Sequence, residues 1–196
     1  MPSYLVTGAS RGLGVSYHCG PNGMLLMFSK DPEHLVKDLQ DSFNVNVIGN
    51  FHRFNLFTPL VLKGQGKKVI AISSGMCDID FIRQFEIEPA PAYAISKAGT
   101  SVLTAKFAAR YVREGVLFMS ICPGSVDSGV EGELPQEQKE KAAKLGSRFV
   151  NYAPDFTGPS TPVNSTKAVL KVMYEASLEK GSSGAFVSKF GNKQWM

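Results

Sequence analysis

The chain has 196 residues, 43% of them hydrophobic and 19% charged, with a formal net charge of +4. This is room for one domain with a full core, and the composition excludes a disordered or collagen-like chain. Lysines and arginines are scattered with no basic stripe, so no nucleic-acid partner is expected. Cys19, Cys77 and Cys122 are far apart and odd in number, which suits a reducing compartment and argues against a disulfide framework or a zinc site. His18, His34 and His52 show no ligand spacing, so no metal is expected. No charged n-region with an apolar h-region opens the sequence, and the longest apolar runs, such as 115–122, are far too short to span a bilayer. The expectation is a cytoplasmic protein without a membrane partner, folded as a single domain over residues 1–196, since no repeat, linker or boundary is visible.

Residues 3–6 form a short apolar run that breaks into Thr7-Gly8-Ala9-Ser10-Arg11-Gly12-Leu13-Gly14, a strand entering a glycine-rich turn. Glycines at these positions let backbone approach a pyrophosphate closely, with a helix N-terminus behind them to supply unpaired N–H groups and positive dipole. The helix that should follow meets Cys19-Gly20-Pro21-Asn22-Gly23 almost at once, and such breakers end a helix. Residues 24–28 read as one short strand, and Ser29-Lys30-Asp31-Pro32 as a helix start. Residues 33–62 read as one long amphipathic helix with an apolar stripe through Leu35, Leu39, Phe43, Val47, Phe51 and Phe54. The run from Lys67 to Ile72 is a buried-strand pattern that ends in Ser73-Ser74-Gly75. Ligands of open parallel sheets collect at the carboxyl ends of strands, so a serine hydroxyl here is well placed to hold a substrate carbonyl. Residues 77–91, rich in acids and aromatics, read as a loop walling the substrate pocket.

Residues 92–113 read as a helix that carries Tyr93 and Lys97 four positions apart, hence on one face and within reach of the same small volume. A free phenol titrates near 10, and a neighbouring cation favours its ionised form, so the pair suits a proton donor and acceptor at working pH. Ala94, Ala98, Ala105 and Ala108 give the same helix a small-residue face for close packing. Residues 116–121 form the next strand, which ends in Cys122-Pro123-Gly124-Ser125-Val126-Asp127-Ser128. Residues 136–145 read as a solvated helix with Leu134, Leu145 and Phe149 as apolar contacts, 166–178 as an amphipathic helix, and 185–187 as a last strand. Strands near 3–7, 68–73, 116–121 and 184–188, with another at 24–28, alternating with helices, give an α/β fold with a doubly wound parallel sheet.

Thr7-Gly8 with Gly12 and Gly14, followed by Tyr93 with Lys97, resembles the short-chain dehydrogenase/reductases, whose cofactor turn is Thr-Gly-x-x-x-Gly-x-Gly and whose catalytic segment is Tyr-x-x-x-Lys. The resemblance implies a Rossmann-like fold and an NAD(P)-dependent oxidoreductase moving hydride between nicotinamide and a carbonyl or secondary alcohol. It makes Tyr93 the acid/base. Lys97 depresses the phenol's pKa and binds the nicotinamide ribose, and Ser74 rather than Ser73 orients the substrate oxygen. Asp41-Ser42-Phe43-Asn44-Val45-Asn46-Val47-Ile48-Gly49 resembles the family segment that supports a proton-relay water, with Asn46 as the asparagine. Pro123-Gly124-Ser125-Val126-Asp127-Ser128 resembles Pro-Gly-x-Val-x-Thr, in which Val126 and Ser128 contact the nicotinamide amide and phosphate. Gly8, Ser10, Arg11, Gly12, Leu13 and Gly14 complete the cofactor set. Arg11 favours the 2′-phosphate of NADP, with NAD as the other candidate. In many relatives the small-residue helix face builds a four-helix contact between subunits, which leaves room for a homodimer or homotetramer. The family places further strands between the glycine turn and the next landmark, whereas residues 15–45 are too few for more than one βαβ unit, so the N-terminal half is expected to be truncated. Aromatic residues around 81–85 and 149–156 point to a small apolar substrate of secondary-metabolite type. The competing expectation is an inactive remnant or partner-binding subunit that keeps the fold without turnover.

Overall fold

The computed structural model describes residues 32–127 and 136–196. Its centre is a three-stranded parallel sheet in the order β1 (Lys68–Ile72), β2 (Leu117–Cys122), β3 (Phe186–Ser188). Val69 pairs with Phe118 and Ile72 with Ile121, while Ser120 pairs with Phe186 and Cys122 with Ser188. Every residue of β2 is buried, as a central strand covered on both faces requires, and this accounts for its unbroken Leu-Phe-Met-Ser-Ile-Cys run.

Among the described residues nine helical elements surround the sheet or lead into it. A helical stretch runs through α1 (Pro32–Phe43), a π-helical segment (Asn44–Ile48) and α2 (Gly49–Lys63). Between β1 and β2 lie a short 3-10 turn (Gly75–Cys77), α3 (Ile79–Phe85) and α4 (Pro91–Tyr111), the last extended by a 3-10 turn (Val112–Glu114). Between β2 and β3 lie α5 (Gln136–Tyr152) and α6 (Pro162–Glu175). One face of the sheet buries Ala71, Val116 and Phe118 against Phe54 of α2 and Phe107 and Ala108 of α4. The opposite face buries Leu117, Met119 and Ile121 against Val169 of α6 and Ala176. Helices on both faces of a parallel sheet make the doubly wound α/β arrangement expected from the sequence. Among the described residues no helix is long and apolar enough to cross a membrane.

The strands at 68–73, 116–121 and 184–188 are found within a residue or two of their expected bounds, whereas those at 3–7 and 24–28 lie outside the described residues. Three expectations need correction. The helix over 33–62 is not uniform: its backbone stays right-handed through Phe43, Ile48 and Gly49, but the π-helical turn breaks the α spacing. Consequently Phe43 and Phe51 of the expected stripe are 42% and 45% exposed, and the inward positions are Ser42, Asn46, Phe54 and Thr58. The stretch 77–91 is not simply a loop, because Asp78 accepts a hydrogen bond from Phe81 N and caps α3. Finally, α6 starts at Pro162, ahead of the expected 166, with Thr161 as its cap accepting from Asn164 N.

Candidate active site

The carboxyl ends of β1 and β2 lie side by side, and among the described residues Ser74 follows the first, the turn at 123–126 follows the second, and Lys97 reaches the end of β1. Tyr93 and Lys97 sit one turn apart on α4 and are both buried, at 5% and 4% exposure. Lys97 Nζ lies 5.6 Å from the centre of the Tyr93 ring and donates to the carbonyl of Ile72, the last residue of β1, at 3.1 Å. The helix spacing therefore places the ammonium beside the phenol ring and against the strand end. The chain enters α4 through Ala90, fully buried and left-handed at φ 57°, followed by Pro91 at the first helical position. A non-glycine residue rarely takes that conformation, and here it turns the chain sharply into the helix just before Tyr93.

The two serines that follow β1 divide into different roles. Ser73 is buried, with its hydroxyl 2.7 Å from Ser101 Oγ, 3.6 Å from Cys77 Sγ and donating to Lys97 O at 3.3 Å, so it ties the strand end to α4. Ser74 is half-buried, and its hydroxyl accepts from Met76 N at 3.3 Å. Only Ser74 keeps a hydroxyl that is not enclosed by helix packing.

Asn46 occupies the middle of the π-helical segment and is buried against α4. Its Nδ2 donates to Ser96 Oγ at 3.0 Å, and Ser96 Oγ in turn donates to Tyr93 O at 2.8 Å. Asn46 O accepts from Thr100 Oγ1 at 2.9 Å and from Asn50 Nδ2 at 2.6 Å. The close approach of the two helices depends on Gly99, where a Cβ would lie 2.8 Å from Val47 Cγ2. Asn46 is thus joined to α4 through the residue next to Lys97.

Past β2, Gly124 turns the chain at φ 77°, a conformation that suits glycine. Val126 forms a parallel bridge with Ser160, whose hydroxyl donates to Ser125 O at 2.9 Å, and Ser165 Oγ donates to Pro123 O at 2.7 Å. Ser128, and Gly8, Ser10, Arg11, Gly12, Leu13 and Gly14 of the glycine turn, lie outside the described residues. An ammonium and a phenol buried side by side, a half-open hydroxyl and a pinned backbone turn form a donor set that fits the polar nicotinamide half of a dinucleotide.

Cys122, which sequence reasoning weighed only as an unpaired thiol, joins these parts. Its sulfur accepts from Gly75 N at 3.1 Å and from Gly124 N at 3.4 Å, linking the turn after β1 to the turn after β2. Burial pushes this thiol and that of Cys77 above the ordinary 9.0, which keeps both protonated at neutral pH. Ser96 and Thr100 were also missed, although polar residues spaced by four inside a helix, beside Tyr93 and Lys97, were a usable signal. The aromatic residues at 81–85 and 149–156 pack on one another: Phe81 lies 4.6 Å from the Tyr152 ring, Phe85 4.9 Å from it, and Phe149 5.9 Å from Phe156. They hold α5 on α3 as a wall beside the Ser74 turn.

The sequence model of the short chain dehydrogenases matches residues 22–139. The chain belongs to the short-chain dehydrogenase family. The matched span includes Asn46, Ser74, Tyr93, Lys97, Val126 and Ser128, while the glycine turn at 7–14 precedes it. The short chain dehydrogenase virK of Hypocrea virens is 49% identical over 170 residues, which cover 87% of this chain and 63% of that protein. The short-chain dehydrogenase/reductase iacC of Pestalotiopsis fici is 45% identical over 155 residues, covering 79% and 57%. The chain therefore spans about three fifths of the length of these family members. Among solved structures, an NADPH-bound carbonyl reductase from chicken fatty liver superposes with a TM-score of 0.63 at 24% identity, covering 87% of this chain and 61% of that one. At that identity the likeness speaks for the fold.

Proposed function

We propose that the protein is an NADP-dependent oxidoreductase acting between the nicotinamide and a carbonyl or secondary alcohol of a small apolar substrate. The observation that carries this reading is the buried Tyr93–Lys97 pair at the carboxyl end of β1, with Ser74 on the adjoining turn. When bound, the nicotinamide supplies or accepts the hydride at its C4, and the protein supplies position and charge. Tyr93 gives a proton to the substrate oxygen during reduction, or takes one during oxidation. Lys97 stabilises negative charge on the phenol oxygen and binds the nicotinamide ribose. Ser74 holds the substrate oxygen, and Asn46, bonded to Ser96 of α4 from the π-helical segment, supports the proton relay.

Val126 and Ser128 hold the nicotinamide side, and Gly8, Ser10, Gly12, Leu13 and Gly14 receive the pyrophosphate. Arg11 meets the 2′-phosphate, which favours NADP over NAD, and the NADPH held by the chicken carbonyl reductase supports that preference. The apolar wall of Phe81, Phe85, Phe149 and Tyr152 beside the Ser74 turn supports an apolar substrate. The odd, unpaired cysteines support a cytoplasmic site of action, and the small-residue face of α4 supports a homodimer or homotetramer. A second reading, a partner-binding subunit that keeps the fold without turnover, is favoured by the shortness of residues 15–45, which leaves too little chain for the further strands of the family's cofactor half.

Fluorescence titration with NADPH and NADH, followed by reduction of a test quinone or aryl ketone, separates the two. The oxidoreductase reading expects NADPH to bind at micromolar concentration and to be consumed with the carbonyl. Absence of binding at millimolar cofactor would overturn it in favour of the second reading.

A further inference from the structure

Residues 189–196 leave β3 and fold back over the strand ends that carry the site. Ser188 N donates to Asn192 O at 2.7 Å, Gly191 N to Ser188 O at 2.9 Å, and Gln194 N to Asn192 Oδ1 at 2.8 Å, so the segment is a tight turn bonded to itself. Lys193 and Gln194 are exposed, yet Trp195 is 1% exposed, the largest fully buried side chain among the described residues. Its ring stacks on Phe186 at 4.6 Å, and its backbone N–H donates to Tyr152 Oη at 3.0 Å, while that hydroxyl donates to Lys193 O at 3.1 Å.

The other side of Trp195 meets Gly75. A Cβ on Gly75 would lie 2.5 Å from both Cβ and Cγ of Trp195, so only a hydrogen fits between the indole and the backbone there. Gly75 directly follows Ser74, and the three amides after Ser74 are all bonded: Gly75 N to Cys122 Sγ, Met76 N to Ser74 Oγ, and Cys77 N to Ser74 O at 3.1 Å. The Ser74 turn is therefore held by the sulfur of Cys122 and by the indole of Trp195.

We propose that Trp195 is a positioning residue for Ser74, acting through the Gly75 backbone it rests on. The proposal deepens the oxidoreductase reading and rests on the role given there to Ser74. The indole fills the space into which the Gly75 backbone would otherwise relax, which fixes where the Ser74 hydroxyl meets the substrate oxygen. Displacement of that hydroxyl lowers the rate without touching the cofactor, since misplacement of a positioning group is felt most by the reacting atoms.

The test compares Trp195→Ala and Trp195→Phe, each in the native and the Ser74→Ala background. It reads kcat/KM for carbonyl reduction, NADPH affinity by fluorescence, and amide hydrogen exchange at Gly75, Met76 and Cys77. Trp195→Ala is expected to lower kcat/KM by about tenfold or more with NADPH affinity within about twofold, and Trp195→Phe to restore most of the loss. In the Ser74→Ala background neither substitution is expected to cost more than about twofold further, because residues that act as a unit are not additive. Exchange at Met76 and Cys77 should quicken in the tryptophan variants while the β2 amides stay protected. Equal losses in both backgrounds would overturn the proposal, and so would native exchange at Met76 and Cys77 in a folded Trp195→Ala protein. If Trp195→Ala does not fold, Trp195→Leu takes its place in both backgrounds. A native protein without turnover would end the oxidoreductase reading and the role of Ser74 with it, whereas the exchange measurement would still decide whether Trp195 holds the turn.

Discussion

Asn46 Nδ2 lies 3.0 Å from Ser96 Oγ in the buried contact between the π-helical segment and α4, and Ser96 continues the chain of bonds to the carbonyl of Tyr93. Of the apolar stripe legible in this region, Phe54 meets Phe107 of α4 edge-on at 5.2 Å and Val47 lies against Gly99. The rest of the contact is polar, with the buried Asn46 bonded to Ser96 and Thr100 of α4. A buried polar seam of this kind is stable only while each member has its partner. Asn46→Ala and Ser96→Ala are each expected to lower the unfolding free energy by about 1–3 kcal/mol, and the double variant to cost less than their sum. Urea denaturation of the three proteins measures this.

Ser73 and Ser74 are adjacent in sequence and separable by experiment. Ser73 is enclosed by Ser101, Lys97 and Cys77, so Ser73→Ala is expected to destabilise by about 1–2 kcal/mol and to leave kcat within about threefold. Ser74→Ala should do the reverse: a melting temperature close to native, with kcat/KM for carbonyl reduction lowered by about 10²-fold. Thermal melts and steady-state kinetics on both variants check the division.

Gly99 marks where the two helices come closest. Because a Cβ there would sit 2.8 Å from Val47 Cγ2, Gly99→Ala is expected to destabilise by about 1–3 kcal/mol through overpacking. Adding Val47→Ala should recover part of that loss by making room. A Gly99→Ala protein as stable as the native one would contradict this packing.

β1, β2 and the Tyr93–Lys97 pair were legible because their signals are local. β1 and β2 are covered on both faces and so read as continuous apolar runs, and Tyr93 and Lys97 meet by helix spacing alone. The inward face of α1–α2 was legible only in part: apolar periodicity found the buried Phe54 but also selected Phe43 and Phe51, where the structure buries Ser42 and Asn46. One π turn shifts the register, and a polar seam carries no apolar signal. α3 is only 7 residues long, too short for a period to stand out. Trp195 and Cys122 act across long sequence separations, on Gly75 and on the two strand-end turns, and no pattern within their own neighbourhoods announces it.

The buried thiols predict a pH dependence. Burial raises the Cys77 and Cys122 thiols above 9.0 in the folded protein, whereas the unfolded chain releases these protons at the ordinary value. At alkaline pH the unfolded state therefore binds fewer protons, so this stability is complete below the unfolded value and is lost as pH rises through the folded one. The melting temperature should fall as pH rises past about 9, and less steeply in Cys77→Ala. An identical slope in that variant would remove Cys77 from the account.

The central claim is that Tyr93, with Lys97 against its ring at 5.6 Å, handles the proton of the reaction. Tyr93→Phe removes one oxygen and leaves the ring in its buried place, so it isolates that role from packing. Measured by NADPH consumption with a saturating carbonyl, and by NADPH fluorescence for affinity, kcat is predicted to fall by about 10²–10⁴-fold while cofactor affinity stays within about threefold. A Tyr93→Phe protein that turns over at the native rate would contradict the claim directly.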